Sequence, residues 1–93
     1  MKKGALNKFR LYVAGDAPNS LQAIANLKEL CVEYLPARHT IEIIDVLSNP
    51  GRALDDGVLL TPTLVRLSPP PVRKIVGSLS HREPLLRALG LPA

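Results

Sequence analysis

Proline placement limits what this chain can fold into more than any other feature. Nine of its 93 residues are proline, and three of these are consecutive at positions 69 to 71. Because proline lacks a backbone N–H, such a run cannot donate to a β-ladder and must form a turn. The apolar segments on either side predict a hairpin, with strands near Thr63–Leu67 and Val72–Val76 joined by a turn at Ser68–Pro71.

A strand and an amphipathic helix are predicted before this hairpin. The segment Lys8–Gly15 is rich in strand-forming residues. From Ser20 to Leu35, apolar residues recur at spacings of three and four, which is the period of a helix with one buried face. Asn19 is the expected N-cap of this helix, with Gln22 as the reciprocal partner in a capping box. The expected buried face consists of Leu21, Ile24, Leu27, Cys31 and either Tyr34 or Leu35.

The next strand carries apolar residues on both faces. Isoleucine and valine occupy both sets of alternating positions in Thr40–Val46, so we expect this strand to be covered on both sides and central in its sheet. Asn49 and Pro50 then begin a second helix, because proline is well tolerated at the first helical position. Gly51 weakens that helix, which is predicted to be short.

A third helix is predicted over Ser80–Leu89. Ser80 and Glu83 have the spacing of a capping box, and Gly90 is the expected C-cap. Pro84 removes the first helical hydrogen bond unless the helix begins later. The expected apolar stripe consists of Leu85, Leu86 and Leu89.

The order of these elements predicts an α/β fold. A parallel strand pair joined by a helix, followed by a hairpin and a covering helix, is the thioredoxin-like βαβαββα arrangement with a mixed four-stranded sheet. In that fold a proline, usually cis, precedes the third strand, and Pro62 stands at that place. We expect one domain over residues 1–93, with residues 1–7 as a flexible tail.

Composition excludes several classes of function. No apolar run approaches the roughly 20 residues that span a membrane, and the N-terminus lacks the apolar stretch of a signal peptide. The sequence therefore predicts a cytoplasmic protein without a membrane partner. Phe9, Tyr12 and Tyr34 form no stacking platform among the basic residues, so the net charge of +4 does not indicate nucleic-acid binding.

The residues also argue against redox or metal chemistry. A thioredoxin-like oxidoreductase needs a cysteine at the start of its first helix, where the dipole stabilises the thiolate. Cys31 lies at least three turns further on, and we interpret it as a buried structural residue. His39 and His81 have no metal-ligand spacing, so no metal or cofactor is expected. Ser20 leaves one enzymatic alternative open, a glutathione-binding enzyme in which it imitates a catalytic serine.

Three stretches resemble the KaiB family. They are "LYVAGDAPNS", "IEIIDVLSNP" and "TPTLVRLSPPPVRKIVGSLSHRE". They are similar to the family patterns LYVAG-x-x-PNS, VIDVL-x-NP and TPTL followed by PPPVR-x-IxG-x-LS-x-RE. The likeness extends from Lys8 to Leu89 without gaps, and the PPPVR stretch after TPTL is its most specific part.

The resemblance implies a non-catalytic regulator. KaiB proteins bind the ring-shaped ATPase KaiC in the circadian clock of photosynthetic bacteria, and relatives elsewhere are linked to timing or stress responses. The implied partner is a KaiC-like ATPase, with a KaiA-like protein or a sensor kinase open as a further partner. Arg73 and Lys74 are the basic residues of the KaiC-binding face that this chain retains.

The resemblance also implies two alternative folds. In KaiB proteins the half of the chain up to about Pro50 is shared, while the remainder is either thioredoxin-like or rearranged into a tetramer-forming fold. Only the thioredoxin-like form binds KaiC. The residues expected to influence this choice are Pro62, Pro70, Pro71, Gly77, Ala88 and Gly90.

We predict a thioredoxin-like monomer as the ground state. Ala88 stands where the family commonly has glycine, and alanine favours a helix there by about 1 kcal/mol. Gly90 replaces an acidic residue and suits a left-handed C-cap. The acidic extension usual at the family's C-terminus does not follow in this sequence, which we expect to weaken tetramer contacts. NMR combined with sizing tests this prediction, and a tetrameric mass or strand shifts through Leu85–Leu89 would contradict it.

Overall fold

The computed structural model of the protein describes residues 6–92 and confirms the predicted α/β fold. Its elements are β1 (Asn7–Val13), α1 (Pro18–Tyr34), β2 (His39–Asp45), α2 (Pro50–Asp55), β3 (Thr63–Ser68), β4 (Arg73–Val76) and α3 (Arg82–Ala88). The four strands form one mixed sheet in the order β2-β1-β3-β4, in which only β1 and β2 are parallel. Most of the predicted N-terminal tail lies outside the described residues, and Asn7 is already the first residue of β1.

The prediction that β2 is central was wrong. This strand lies at an edge of the sheet, and the side chain of Ile43 is 40% exposed. The inner strands are β1 and β3. In β1 the consecutive residues Leu11 and Tyr12 point to opposite faces and are both fully buried. Alternating isoleucines show that both faces of a strand are apolar, but they do not show on which side of its partner the strand pairs.

The sheet has a separate hydrophobic core on each face. The larger core contains Leu11 and Leu64 from the sheet and is covered by α1 and α3, which contribute Leu27 and Leu85 among others. The smaller core is formed by Tyr12, Ile44, Ala53, Val58 and Val65. The short helix α2 therefore covers the second face with little apolar area, because only Ala53 of this helix is buried.

The start of α1 differs from the predicted capping box. The helix begins at Pro18, one residue after an N-cap at Ala17 that makes no side-chain capping bond, so the predicted Asn19 cap is wrong. Proline is favourable at this first position because its missing N–H would have no intrahelical partner. The buried stripe is also rotated, because Leu21 is half exposed while Ser20 and Ala23 are buried.

The start of α3 explains how Pro84 is accommodated. The helix begins at Arg82 after an N-cap at His81, so the predicted Ser80 cap is wrong. Pro84 is therefore the third helical residue, where a missing N–H costs no helical hydrogen bond. The hydroxyl of Ser80 instead hydrogen-bonds that of Ser78 at 2.6 Å.

The end of α3 confirms the role predicted for Gly90. Gly90 has φ +71° and donates its N–H to the carbonyl of Arg87. Leu91 donates to the carbonyl of Leu86 at 2.9 Å, which completes a Schellman motif. The helix thus stops at a residue whose left-handed conformation suits glycine.

A buried arginine connects β3 to this helix end. Arg66 is only 5% exposed, and its Nη1 donates to the carbonyl of Leu89 at 2.8 Å. Its Nη2 donates to the carbonyl of Pro71 at 2.9 Å. Burial lowers the pKa of Arg66, and the positive charge of Arg73 lowers it further.

A polar network lies on the opposite face of the sheet. The buried Tyr12 hydroxyl donates to Asp56 Oδ2, which also accepts from Arg10 at 3.0 Å. Both hydrogen bonds lower the pKa of Asp56, with the bond from Tyr12 the larger effect. Arg52 on α2 binds the Glu42 carboxylate through both terminal nitrogens, at 2.6 and 3.0 Å. These polar contacts tie α2 to β1 and β2, where apolar burial is small.

Tyr12 should make stability depend on pH in alkaline solution. Burial, followed by the Asp56 carboxylate, raises its pKa from 10.0 to about 12. The folded protein thus holds the phenolic proton more tightly than the unfolded chain does. Its contribution is complete below pH 10 and is lost as the pH rises towards 12.

Replacing Tyr12→Phe should remove this alkaline loss and cost about 1 kcal/mol at neutral pH, since one hydrogen bond is deleted. Urea unfolding at a series of pH values measures both effects. Tyr34→Phe is the matched control, because Tyr34 lies outside the network, and it should retain the alkaline dependence. An unchanged pH profile in Tyr12→Phe would contradict the assignment.

Candidate partner-binding surface

Ser20 is buried at the start of α1. Its side chain is 1% exposed, and its Oγ accepts a hydrogen bond from the backbone N–H of Ala14 at 3.1 Å. A nucleophile must be reachable by its substrate and activated by a neighbouring base. The hydroxyl of Ser20 instead satisfies a backbone donor at the end of β1, which is a structural role.

Cys31 is fully buried on α1, as predicted. Burial raises the pKa of its thiol to about 11. Since the thiolate is the reactive form, a raised pKa opposes redox chemistry at this residue. Within residues 6–92, no group of three or more His, Cys, Asp and Glu side chains is arranged to hold a metal ion, and no helix is long and apolar enough to cross a membrane.

The predicted partner residues Arg73 and Lys74 are both exposed on β4. Because they are consecutive in a strand, their side chains point to opposite faces of the sheet. Lys74 borders a groove of about 150 Å³ together with Val76, Leu59 and Leu60. Arg73 lies on the α3 side, where it lowers the pKa of Arg66. The structure thus places the two cations on either side of one strand.

Exposed leucines were missed by the sequence analysis. Leu59 is 85% exposed and Leu60 is 62% exposed, and both line the groove beside Lys74. Leu47 and Leu54, in the loops and helix that precede them, are also largely exposed. One feature of the sequence could have indicated this surface. The two leucines follow Gly57 but precede the start of β3 at Thr63, and apolar residues outside a strand often belong to an interaction site.

A larger groove lies between the β4 edge and α3. It has a volume of about 580 Å³ and is lined by Ile75, Pro84, Leu85 and Ala88, with Gly77, Ser78 and His81 at the connecting loop. Its lining is mainly apolar in character. The two grooves therefore flank β4, one on each face of the sheet.

The proposed fold-state residues cluster around the same strand. The peptide bond before the buried Pro62 is cis, as predicted. Pro70 and Pro71 lie exposed in the turn before β4, and Gly77 follows β4 with φ +121°. Ala88 is exposed in the last turn of α3. Their effect on a second fold stays a prediction.

Comparison with known protein families gives a match over most of the chain. A family model described as the KaiB domain matches residues 10–91. The circadian clock oscillator protein KaiB of Trichodesmium erythraeum is 49% identical over 83 residues, which cover 89% of this chain and 80% of that protein. The KaiB protein of Microcystis aeruginosa has the same identity and coverage.

Solved structures share the fold at low sequence identity. The N-terminal domain of SasA from Synechococcus elongatus has a TM-score of 0.76 at 18% identity, covering 97% of this chain and 89% of that one. Mitochondrial thioredoxin 3 of Saccharomyces cerevisiae has a TM-score of 0.70 at 20% identity, covering 96% and 79%. At these identities the likeness shows the thioredoxin-like fold and nothing about activity.

Replacing Ser20→Ala distinguishes a structural hydroxyl from a nucleophile. The substitution leaves the Ala14 N–H without its partner, so we expect a loss of about 1 to 2 kcal/mol in the free energy of unfolding. Asn19→Ala is the matched control and should change stability by about 0.5 kcal/mol or less, since Asn19 is exposed and makes no capping bond. Glutathione-dependent turnover that is abolished by Ser20→Ala would contradict the structural role.

Proposed function

The chain belongs to the KaiB family, and on that premise we propose that it is a non-enzymatic regulatory protein that binds a KaiC-like ring ATPase in a circadian, timing or stress-response system. Its relatives at 49% identity are circadian clock oscillator proteins. The proposal places the protein in the cytoplasm, where it acts in its thioredoxin-like state. A KaiA-like protein or a sensor kinase would be a further partner.

The observation that carries this proposal is the exposed surface beside β4. Leu59 and Leu60 expose most of their apolar area next to the ammonium group of Lys74. Exposed leucines of this kind are typical of protein interfaces, whose centres are apolar and whose rims are charged. A cationic rim favours an acidic partner and raises its rate of association.

The ends of α3 support binding in the thioredoxin-like state. Arg82 at its start pairs with Glu29 and Glu33 of α1, at 2.9 and 2.7 Å. Gly90 closes its other end in a Schellman motif. Helical α3 therefore gains contacts at both ends, which favours the fold that presents β4 and its two grooves.

The enzymatic alternative, a glutathione-binding enzyme using Ser20, has less support. The hydroxyl of Ser20 is buried and already accepts a hydrogen bond from Ala14. No titratable side chain hydrogen-bonds this hydroxyl among the contacts of the described residues. An activated serine needs an adjacent base.

Replacing Leu59→Ala tests the proposed surface. If Leu59 is buried against a KaiC-like ATPase, we expect the dissociation constant to rise about tenfold, since truncation removes most of a buried leucine side chain. Native gels with the purified ATPase detect the complex, and calorimetry measures the affinity. Val32→Ala is the matched control, because Val32 is 70% exposed on α1, away from the groove.

The control variant should bind like the original protein. Failure of the unmodified protein to bind any KaiC homologue would refute the proposed partner. Equal losses of affinity for Leu59→Ala and Val32→Ala would be compatible with the proposed partner but would refute the assignment of binding to this surface. Thermal unfolding of both variants checks that neither loss reflects unfolding.

A further inference from the structure

The outer edge of β4 has backbone groups without a strand partner. β4 pairs only with β3 in the described part of the chain, and Val76 lies opposite Thr63. Gly77 donates to the carbonyl of Pro62 at 2.9 Å. Hydrogen-bonded pairs alternate along an antiparallel ladder, so the N–H and C=O groups of Lys74 and Val76 point away from β3. This edge presents two donors and two acceptors in strand geometry.

Each face of this edge has its own groove. Ile75 points to the α3 side, where the larger groove of about 580 Å³ is lined by Leu85 and Ala88. Lys74 and Val76 border the smaller groove of about 150 Å³ on the other side. Side chains of a strand alternate between faces. An added strand would direct one set of its side chains into the apolar groove and the other set towards Lys74.

Positive charge is in excess around β4, although the Asp56 carboxylate lies close enough to Lys74 for this cation to lower the pKa of Asp56. Arg73 and Lys74 form no ion pair within 4.0 Å among residues 6–92, unlike Arg10, Arg52 and Arg82. The buried guanidinium of Arg66, next to Arg73, is bound by carbonyls and not by a carboxylate. Because Asp56 also binds Arg10 and Tyr12, the cations at this edge keep an excess of positive charge and favour an acidic strand. They disfavour pairing of two copies of β4, since like charges would then lie close together.

We propose that β4 accepts an extended acidic segment of a partner protein as a fifth strand of the sheet. In this segment apolar side chains alternate with carboxylates, so that the apolar set fills the groove beside α3 and the carboxylates face Lys74. Backbone hydrogen bonds to Lys74 and Val76 hold the strand, and the side chains give selectivity. The inference rests on the proposed function only in that the protein acts through contact with another protein.

A synthetic peptide tests the strand without any KaiC homologue. The probe is a short capped peptide that alternates valine and glutamate, titrated into the full chain and followed by amide NMR. We expect shifts confined to β4 and α3, with slowed hydrogen exchange at Lys74 and Val76. The same peptide with lysine in place of glutamate should not bind. N-methylation of the peptide on the edge facing β4 should abolish binding, because it removes the peptide's donors.

Variants of the protein separate backbone pairing from charge. Val76→Pro removes an outward N–H that β3 does not use and should weaken peptide binding about tenfold, the effect of one hydrogen bond of up to about 1.5 kcal/mol. Lys74→Glu should weaken it about fivefold, as expected for an exposed ion pair. Lys28→Glu makes the same charge change on the exposed face of α1 and should leave binding unchanged.

Three results would refute the inference and leave the proposed function intact. Binding of the N-methylated peptide as tightly as the original would exclude strand addition, whether or not Val76→Pro folds. Exchange protection at β2 in place of β4 would assign the peptide to the other edge of the sheet. Sedimentation showing self-association that the peptide displaces would identify a second copy as the occupant. Failure of KaiC binding alone would refute the proposed function and leave the strand site standing.

Discussion

The buried guanidinium of Arg66 joins three segments that are separate along the chain. It is held on β3, and it donates to the carbonyl of Pro71 in the proline turn and to that of Leu89 at the end of α3. A buried cation is costly unless it is hydrogen-bonded, so the turn and the helix end must be in place for β3 to bury this residue. A positive charge at a helix C-terminus also interacts favourably with the negative end of the helix dipole. The folded C-terminal half therefore depends on all three segments being present together.

The two faces of the sheet are stabilised by different physical means. On the α1 and α3 side a continuous apolar core provides most of the stabilisation, with Leu11 and Leu64 fully buried. On the α2 side the apolar core is small, and a polar network through Tyr12 and Asp56 supplements it. Apolar contacts tolerate small shifts of the packed elements, whereas hydrogen bonds between charged groups require defined positions. This division explains how a helix of six residues remains in place over a sheet face that it only partly covers.

Local sequence patterns predicted the element order and the glycine C-cap at Gly90, because each depends on neighbouring residues, and the fold predicted from that order implied the cis bond at Pro62. Of the errors, one concerns a feature set by distant residues, and two concern a choice between competing local patterns. The edge position of β2 depends on which side of β1 the hairpin joins, and the helix starts at Pro18 and Arg82 depend on proline geometry that outweighed the capping patterns. Arg66 and Asp56 gave no signal, since their partners lie far along the chain or on backbone carbonyls. The exposure of Leu59 and Leu60 was also missed, because an apolar pair in the sequence does not show whether it is buried.

Burial of Cys31 separates this protein from the chemistry with which its fold is often associated. With a thiol pKa of about 11, only about one molecule in ten thousand carries a thiolate at neutral pH. Peroxide and disulfide reagents react with the thiolate, so this side chain is nearly inert towards them. The chain has no other cysteine. Oxidising or reducing surroundings therefore leave the covalent state of Cys31 unchanged.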